Sequence, residues 1–261
     1  MTYLENLPCV YQALIATTFT FLITMIGSLI VIFFKNIKKN ILDIMLGISG
    51  GVMLAAAFFS LLNPSIEFSK NIGLIPWLVL FIGFIGGGIL LFIGDKIMDK
   101  KLNNKNTSFK RILMLFSSIT LHNIPEGMSI GVAFGSIKYG LDGATFITAS
   151  LLALGIGIQN FPEGSAISLP LRREGMSRKK AFLIGSLSAI VEPISGVIGA
   201  LLVTKVRILL PYLLSFAAGA MIYVVVSELI PESQTNNNKS LIALFTLIGF
   251  SIMMILDVGL S

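Results

Sequence analysis

Eight stretches of this chain are apolar enough, and long enough, to cross a lipid bilayer as helices. That recurrence restricts the fold more than any other feature. The stretches run at about 10–34, 41–62, 73–95, 112–137, 144–171, 181–204, 208–230 and 241–259. A spanning helix needs about 20 mostly apolar residues. The runs are continuous rather than alternating, and they exceed the roughly 10 residues of a barrel strand, which excludes a β-barrel. Only 12% of residues are charged, where a soluble domain carries roughly 25%. The prediction is an all-α polytopic membrane protein forming one transmembrane domain over 1–261. The longest connection, about 16 residues, leaves no room for a soluble domain beside it.

The net charge of +6 could suggest nucleic acid, but the basic residues are sorted by side. Lys35, Lys38 and Lys39 follow the first span. Lys96, Lys100, Lys101, Lys105, Lys110 and Arg111 follow the third. Arg172, Arg173, Arg178, Lys179 and Lys180 follow the fifth, and Lys239 follows the seventh. The opposite side holds Lys70, Lys138, Lys205 and Arg207. Fifteen against four is a positive-inside pattern that places both termini outside the cytoplasm and requires an even number of spans. The expected setting is the cell (plasma) membrane, multi-pass, with the lipid bilayer as partner and no nucleic acid. Glu5, with no basic residue before the first span, argues against a cleaved signal peptide. Cys9 is the single cysteine and can form neither an internal disulfide nor a thiolate cluster. "KLNNKNTSFK" and "QTNNNKS" are read as polar cytoplasmic loops.

Against this background three carboxylates are out of place. Glu126, Glu163 and Glu192 fall near the middle of the fourth, fifth and sixth spans. A charge at mid-bilayer costs roughly 2.5–3.5 kcal/mol on insertion scales, so such residues face cavities or pathways. The alternative for each alone is a satisfied interhelical hydrogen bond.

Two of the three sit in copies of one motif. "HNIPEG" (122–127) and "QNFPEG" (159–164) share Asn, Pro, Glu and Gly in the same order, in neighbouring spans of opposite direction. An inverted repeat places equivalent motifs in this way around a midplane site. His122 and Glu126 are four residues apart and share a helical face with Asn123; Gln159, Asn160 and Glu163 repeat the geometry. Pro125 and Pro162 cannot donate to the carbonyls four residues back, which predicts kinks and freed carbonyls. Gly127 and Gly164 permit close helix approach. Imidazole, carboxylate and amide oxygens without thiolates suit zinc, cadmium, iron(II), manganese, cobalt or nickel better than copper(I), and the set is too rich in nitrogen for calcium. Two facing glutamates could bridge two metal ions about 4 Å apart.

The paired motifs resemble the metal-binding helices of the ZIP (Zrt-, Irt-like) family of divalent metal transporters. "QNFPEGSAISLPLRREGMSRKKAF", "VEPISGVIGA" and "GVMLAAAFFSLL" are similar to its GufA-like branch, so the likeness covers nearly the whole chain. The resemblance implies eight spans arranged as three, two and three, and transport of divalent metal toward the cytoplasm through a binuclear site. Zinc is the leading cargo, with cadmium, iron(II) and manganese as others; no cofactor is expected, and a homodimer is left open. It assigns His122, Glu126, Gln159 and Glu163 to one metal, with Met53 nearby. Asn123, Asn160 and Glu192 join the two glutamates around the other. Two departures stand out. Gln159 replaces a histidine common in the family, which predicts weaker zinc selectivity, and no histidine lies in the cytoplasmic loops.

The rival reading is an enzyme. "GISG" (47–50) fits the G-x-S-G pattern of rhomboid-type intramembrane serine proteases, with His122 as base. That scheme leaves Glu126, Glu163, Glu192 and the repeated motif unused, and small residues are expected wherever membrane helices touch. "GFIGGG" (83–88) is read as a packing surface, and Glu228 and Asp257, near span ends, as residues other than metal ligands.

Overall fold

A chain segment in hydrocarbon must satisfy its own backbone, and the helix does so within one segment. The computed structural model describes residues 2–33, 39–102, 107–140, 144–173, 175–203, 208–234 and 238–260, and every regular element among them is helical. A single turn, Thr2–Glu5, precedes α1 (Cys9–Phe33). Helix α2 starts as Lys39–Ala56, passes through a π-helical stretch, Ala57–Leu62, and continues as Asn63–Asn71. Helices α3 (Pro76–Leu102), α4 (Thr107–Lys138) and α5 (Phe146–Arg173) follow. Helix α6 comes in two pieces, Arg178–Leu187 and Val191–Leu201. Helix α7 runs from Leu210–Val224 through a π-helical Val225–Leu229 to Ile230–Ser233, and α8 is Lys239–Leu260.

Six of these are long and apolar enough to span a membrane: Cys9–Phe33, Asn40–Asn71, Pro76–Ile97, Arg178–Leu201, Leu210–Ser233 and Lys239–Gly259. Helices α4 and α5 are not among the six, although 32 and 28 residues give lengths of about 48 and 42 Å. They carry the paired polar motifs. Trp77, Phe81, Leu247 and Ile255 stand outward on α3 and α8, each more than 60% exposed, a surface suited to lipid rather than water.

The helices outrun their apolar stretches. Helix α2 continues past the expected end at 62, because Pro64 sits in the first turn of the new segment, where its missing N–H costs nothing. Helix α3 extends beyond 95 to Leu102, and α4 begins at Thr107, so both ends of "KLNNKNTSFK" are helical rather than loop; its centre lies outside the described residues. Likewise Lys239, at the end of "QTNNNKS", already opens α8.

The prolines differ in whether they interrupt their helices. Helices α4 and α5 stay helical through Pro125 and Pro162. The sixth span, expected to be continuous, is the one that breaks, at residues 188–190. Pro193 cannot donate to the carbonyl of Ala189. That carbonyl instead accepts from the Glu192 N–H, three residues on, at 3.0 Å. Glu192 therefore lies in the first turn of a new helix.

Packing divides the helices into two bundles. Helix α1 lies along α5 and α6, and α4 along α6; α2 pairs with α8, and α3 with α7. The bundles meet chiefly where α4 touches α7 and α5 touches α2. The main apolar core lies across that junction, joining Met53, Leu61, Ile119, Ile167, Leu214 and Met221.

Candidate metal centre

Glycine brings the relevant backbones together. A Cβ on Gly127 would lie 2.7 Å from the Cα of Glu192, so α4 seats against the second half of α6 only without a side chain there. A Cβ on Gly164 would lie 2.7 Å from the Ser28 nitrogen, so α5 seats against α1 in the same way. The Ser28 hydroxyl donates to the Gly164 carbonyl at 3.0 Å across that contact.

These contacts enclose a polar cluster. Asn123, Glu126, Gln159, Asn160, Glu163 and Glu192 are all fully buried. The Gln159 amide nitrogen donates to Glu126 Oε1. Asn160 Nδ2 donates to both carboxylate oxygens of Glu192, at 2.9 and 3.0 Å. Asn123 Nδ2 donates to the Ser188 carbonyl at 3.2 Å, at the break in α6. Glu163 lies one helical turn beyond Gln159 and Asn160 on α5 and is buried with them.

Two features define what this cluster can do. First, the apolar stretches of α1, α4, α5 and α6 contain no lysine or arginine to balance three buried carboxylates. Second, Asn123 Oδ1, Glu126 Oε2, Gln159 Oε1 and Asn160 Oδ1 are buried without a hydrogen-bond partner among the described residues. A buried oxygen left unpaired costs roughly 1–3 kcal/mol. The amides spend their N–H groups on structure and leave their oxygens unused, which is the arrangement a cation would complete. Among the described residues no three His, Cys, Asp or Glu side chains already converge as a metal cage.

The remaining candidates fall as follows. His122 lies on α4, but its side chain is outside the described residues. Met53 is fully buried in the apolar core. Asp257 accepts from the Ser60 hydroxyl at 2.8 Å. Ser49 is buried, its hydroxyl 3.5 Å from the Pro162 carbonyl. Sequence reasoning passed over Thr20, whose hydroxyl donates to Glu192 Oε2. A signal was present: Thr17, Thr20, Thr24 and Ser28 recur at helical spacing in an apolar span, and all four are buried.

Comparison with known proteins agrees with this chemistry. The family model described as "ZIP Zinc transporter" matches residues 10–111 and 99–257. This chain belongs to the ZIP zinc transporter family. It is 36% identical to "Zinc transporter ZIP11" of Xenopus tropicalis, over 97% of this chain and 98% of that protein. It is 32% identical to "Zinc transporter ZIPB" of Bordetella bronchiseptica, over 98% of this chain and 84% of that one. With "Zinc transporter GufA" of Myxococcus xanthus it shares 30% identity, over 91% and 94%. The relatives bear out the resemblance to ZIP proteins and to the GufA-like branch. Membership makes the chain a multi-pass divalent-metal transporter rather than an enzyme, and the protease reading of "GISG" finds no support.

Proposed function

We propose that this protein carries Zn²⁺ across the plasma membrane toward the cytoplasm through a binuclear site between α4, α5 and α6, and that it also accepts Cd²⁺, Fe²⁺ and Mn²⁺. The observation that carries the reading is the set of four buried oxygens without a partner among the described residues, beside three carboxylates in apolar stretches that hold no lysine or arginine. Charge and unsatisfied acceptors are both relieved by divalent cations.

The ligands divide into two groups. Glu126 Oε2 and Gln159 Oε1 serve one metal with His122 and Glu163, and Met53 lies near it. Asn123 Oδ1, Asn160 Oδ1 and Glu192 serve the other, sharing Glu126 and Glu163. The pairing of amides with carboxylates supports this division: Gln159 is bonded to Glu126, and Asn160 to Glu192. Each pair offers one amide oxygen together with a carboxylate. A metal ligand must present a lone pair, so His122 acts as neutral imidazole.

The transporter is a single transmembrane domain of eight spans, arranged three, two and three, with α4 and α5 as the central inverted pair. Both termini lie outside the cytoplasm, as the charge asymmetry requires. The lengths of α4 and α5 and their burial against α1 and α6 support counting them as spans. Uptake into vesicles containing the purified protein tests the reading, with zinc, cadmium, iron(II) and manganese in competition. Saturable uptake with zinc as the best competitor is expected; if no divalent metal crosses, the reading fails.

A further inference from the structure

We propose that Thr20 of α1 is a positioning residue for the transported metal, holding Glu192 and Asn160 so that an amide oxygen and a carboxylate face the second metal position. The inference rests on the metal-site reading above and adds a helix, α1, that contributes none of the assigned ligands.

Thr20 is fully buried. Its hydroxyl has one proton and two acceptors within reach, the Thr17 carbonyl at 3.0 Å and Glu192 Oε2. The hydroxyl thus reaches beyond its own helix to Glu192 across the contact between α1 and α6. The backbone of the same residue also participates: Asn160 Nδ2 lies 3.4 Å from the Thr20 carbonyl and hydrogen-bonds both oxygens of Glu192. Thr20, Glu192 and Asn160 thus form a closed ring drawn from α1, α6 and α5.

The ring fixes two orientations. With its N–H groups committed to Glu192 and the Thr20 carbonyl, the Asn160 amide must turn its oxygen away from them, and that oxygen is buried without a partner among the described residues. Glu192 Oε2 takes donors from both Thr20 and Asn160, while Oε1 takes one and keeps more of its lone-pair capacity. Metal-binding carboxylates are oriented by outer hydrogen bonds of this kind, whose loss typically lowers metal affinity about 10–100-fold. Glu192 follows a helix break, and its fixed orientation depends on a neighbour that lies across the packing interface.

The test uses the full chain, purified, with Zn²⁺ binding measured by titration and uptake measured in vesicles. Thr20→Val keeps the shape and removes the hydroxyl; it should weaken Zn²⁺ affinity at least about tenfold. Thr20→Ser restores the hydroxyl and should stay within about twofold of the parent. In a Glu192→Ala background, Thr20→Val should cause no further loss. Should Thr20→Val fail to fold, Thr20→Ala against Thr20→Ser provides the same comparison. Equal impairment of the Val and Ser variants would reassign Thr20 to packing and overturn the proposal. Parental affinity in Thr20→Val beside an impaired Glu192→Ala would overturn the role of Thr20 alone. Parental affinity in Glu192→Ala would remove the site reading and this proposal together.

Discussion

Glu126 and Glu192 are both buried carboxylates, but their surroundings differ enough to predict different losses. Glu126 keeps one oxygen without a partner among the described residues, and in the proposed site Glu126 and Glu163 serve both metals. Glu126→Ala or Glu163→Ala should lower zinc uptake about 100-fold or more, beyond the effect of an outer hydrogen bond. Glu192→Gln serves one metal only and keeps acceptor capacity for Thr20 and Asn160, so its loss should be smaller. Vesicle uptake at matched protein content checks the order, and parental rates in all three would discard the assignment. The single histidine adds a pH dependence. Metal requires neutral imidazole, which titrates near pH 6.5 when free. Protonation competes with metal, so affinity should fall as external pH drops through roughly 6.5 to 5. His122→Gln should bind zinc more weakly at pH 7 with a shallower profile, as read by titration at several pH values; an unchanged profile would remove His122 from the ligand set. The acids, amides and histidine were legible because each is anomalous in an apolar run. Thr20 was not, because a threonine in a membrane helix usually bonds its own backbone, as Thr17 does to the Ala13 carbonyl at 2.7 Å.

At the scale of elements, the break in α6 is the feature that aims Glu192. Because the Glu192 N–H donates to Ala189, the Ser188 carbonyl loses its ordinary helical partner, and Asn123 of α4 caps it. The break and the α4–α6 contact therefore stabilise each other, and both depend on Pro193. Pro193→Ala would let the helix continue, restoring a backbone bond while rotating Glu192 away from Thr20 and Asn160. Thermal stability in detergent should stay level or rise, while zinc uptake falls several-fold, on the order of the loss for an outer hydrogen bond. A variant with parental uptake would show that the break does not position the acid. Sequence pattern located the prolines but not which helix would open. Pro125 and Pro162 lie within unbroken helices, whereas α6 opens just ahead of Pro193.

For the whole molecule, orientation is the property most directly open to measurement. Cys9 is partly exposed and would itself react, so labelling needs a Cys9→Ser parent. In that background, cysteines introduced at positions 70 and 140 should react with an impermeant thiol reagent on intact cells, and those at 104 and 175 should not. The reverse pattern would invert the assigned orientation. Two further contacts belong to the cytoplasmic side in this orientation. Arg173 at the end of α5 pairs with Glu232 at the end of α7, linking the two bundles. Arg178 donates to the Ile32 carbonyl at 2.8 Å, tying α6 to the end of α1.

The apolar runs, the sorted basic residues and the doubled Asn-x-Pro-Glu-Gly motif together were enough to name a helical membrane protein that binds divalent metal. Lipid is an unforgiving solvent, so an uncompensated charge or an amide within it carries information that needs no coordinates. Tertiary structure alone decided which partners those polar atoms take. Hydrogen bonds joining α1 to α5 and α6 link residues more than a hundred positions apart, such as Thr20 and Glu192. No periodicity along the chain specifies such a pairing. It arises because Gly164 seats α5 against α1 and Gly196 seats α6 against Thr17 of α1, so three helices approach closely enough for short side chains to meet.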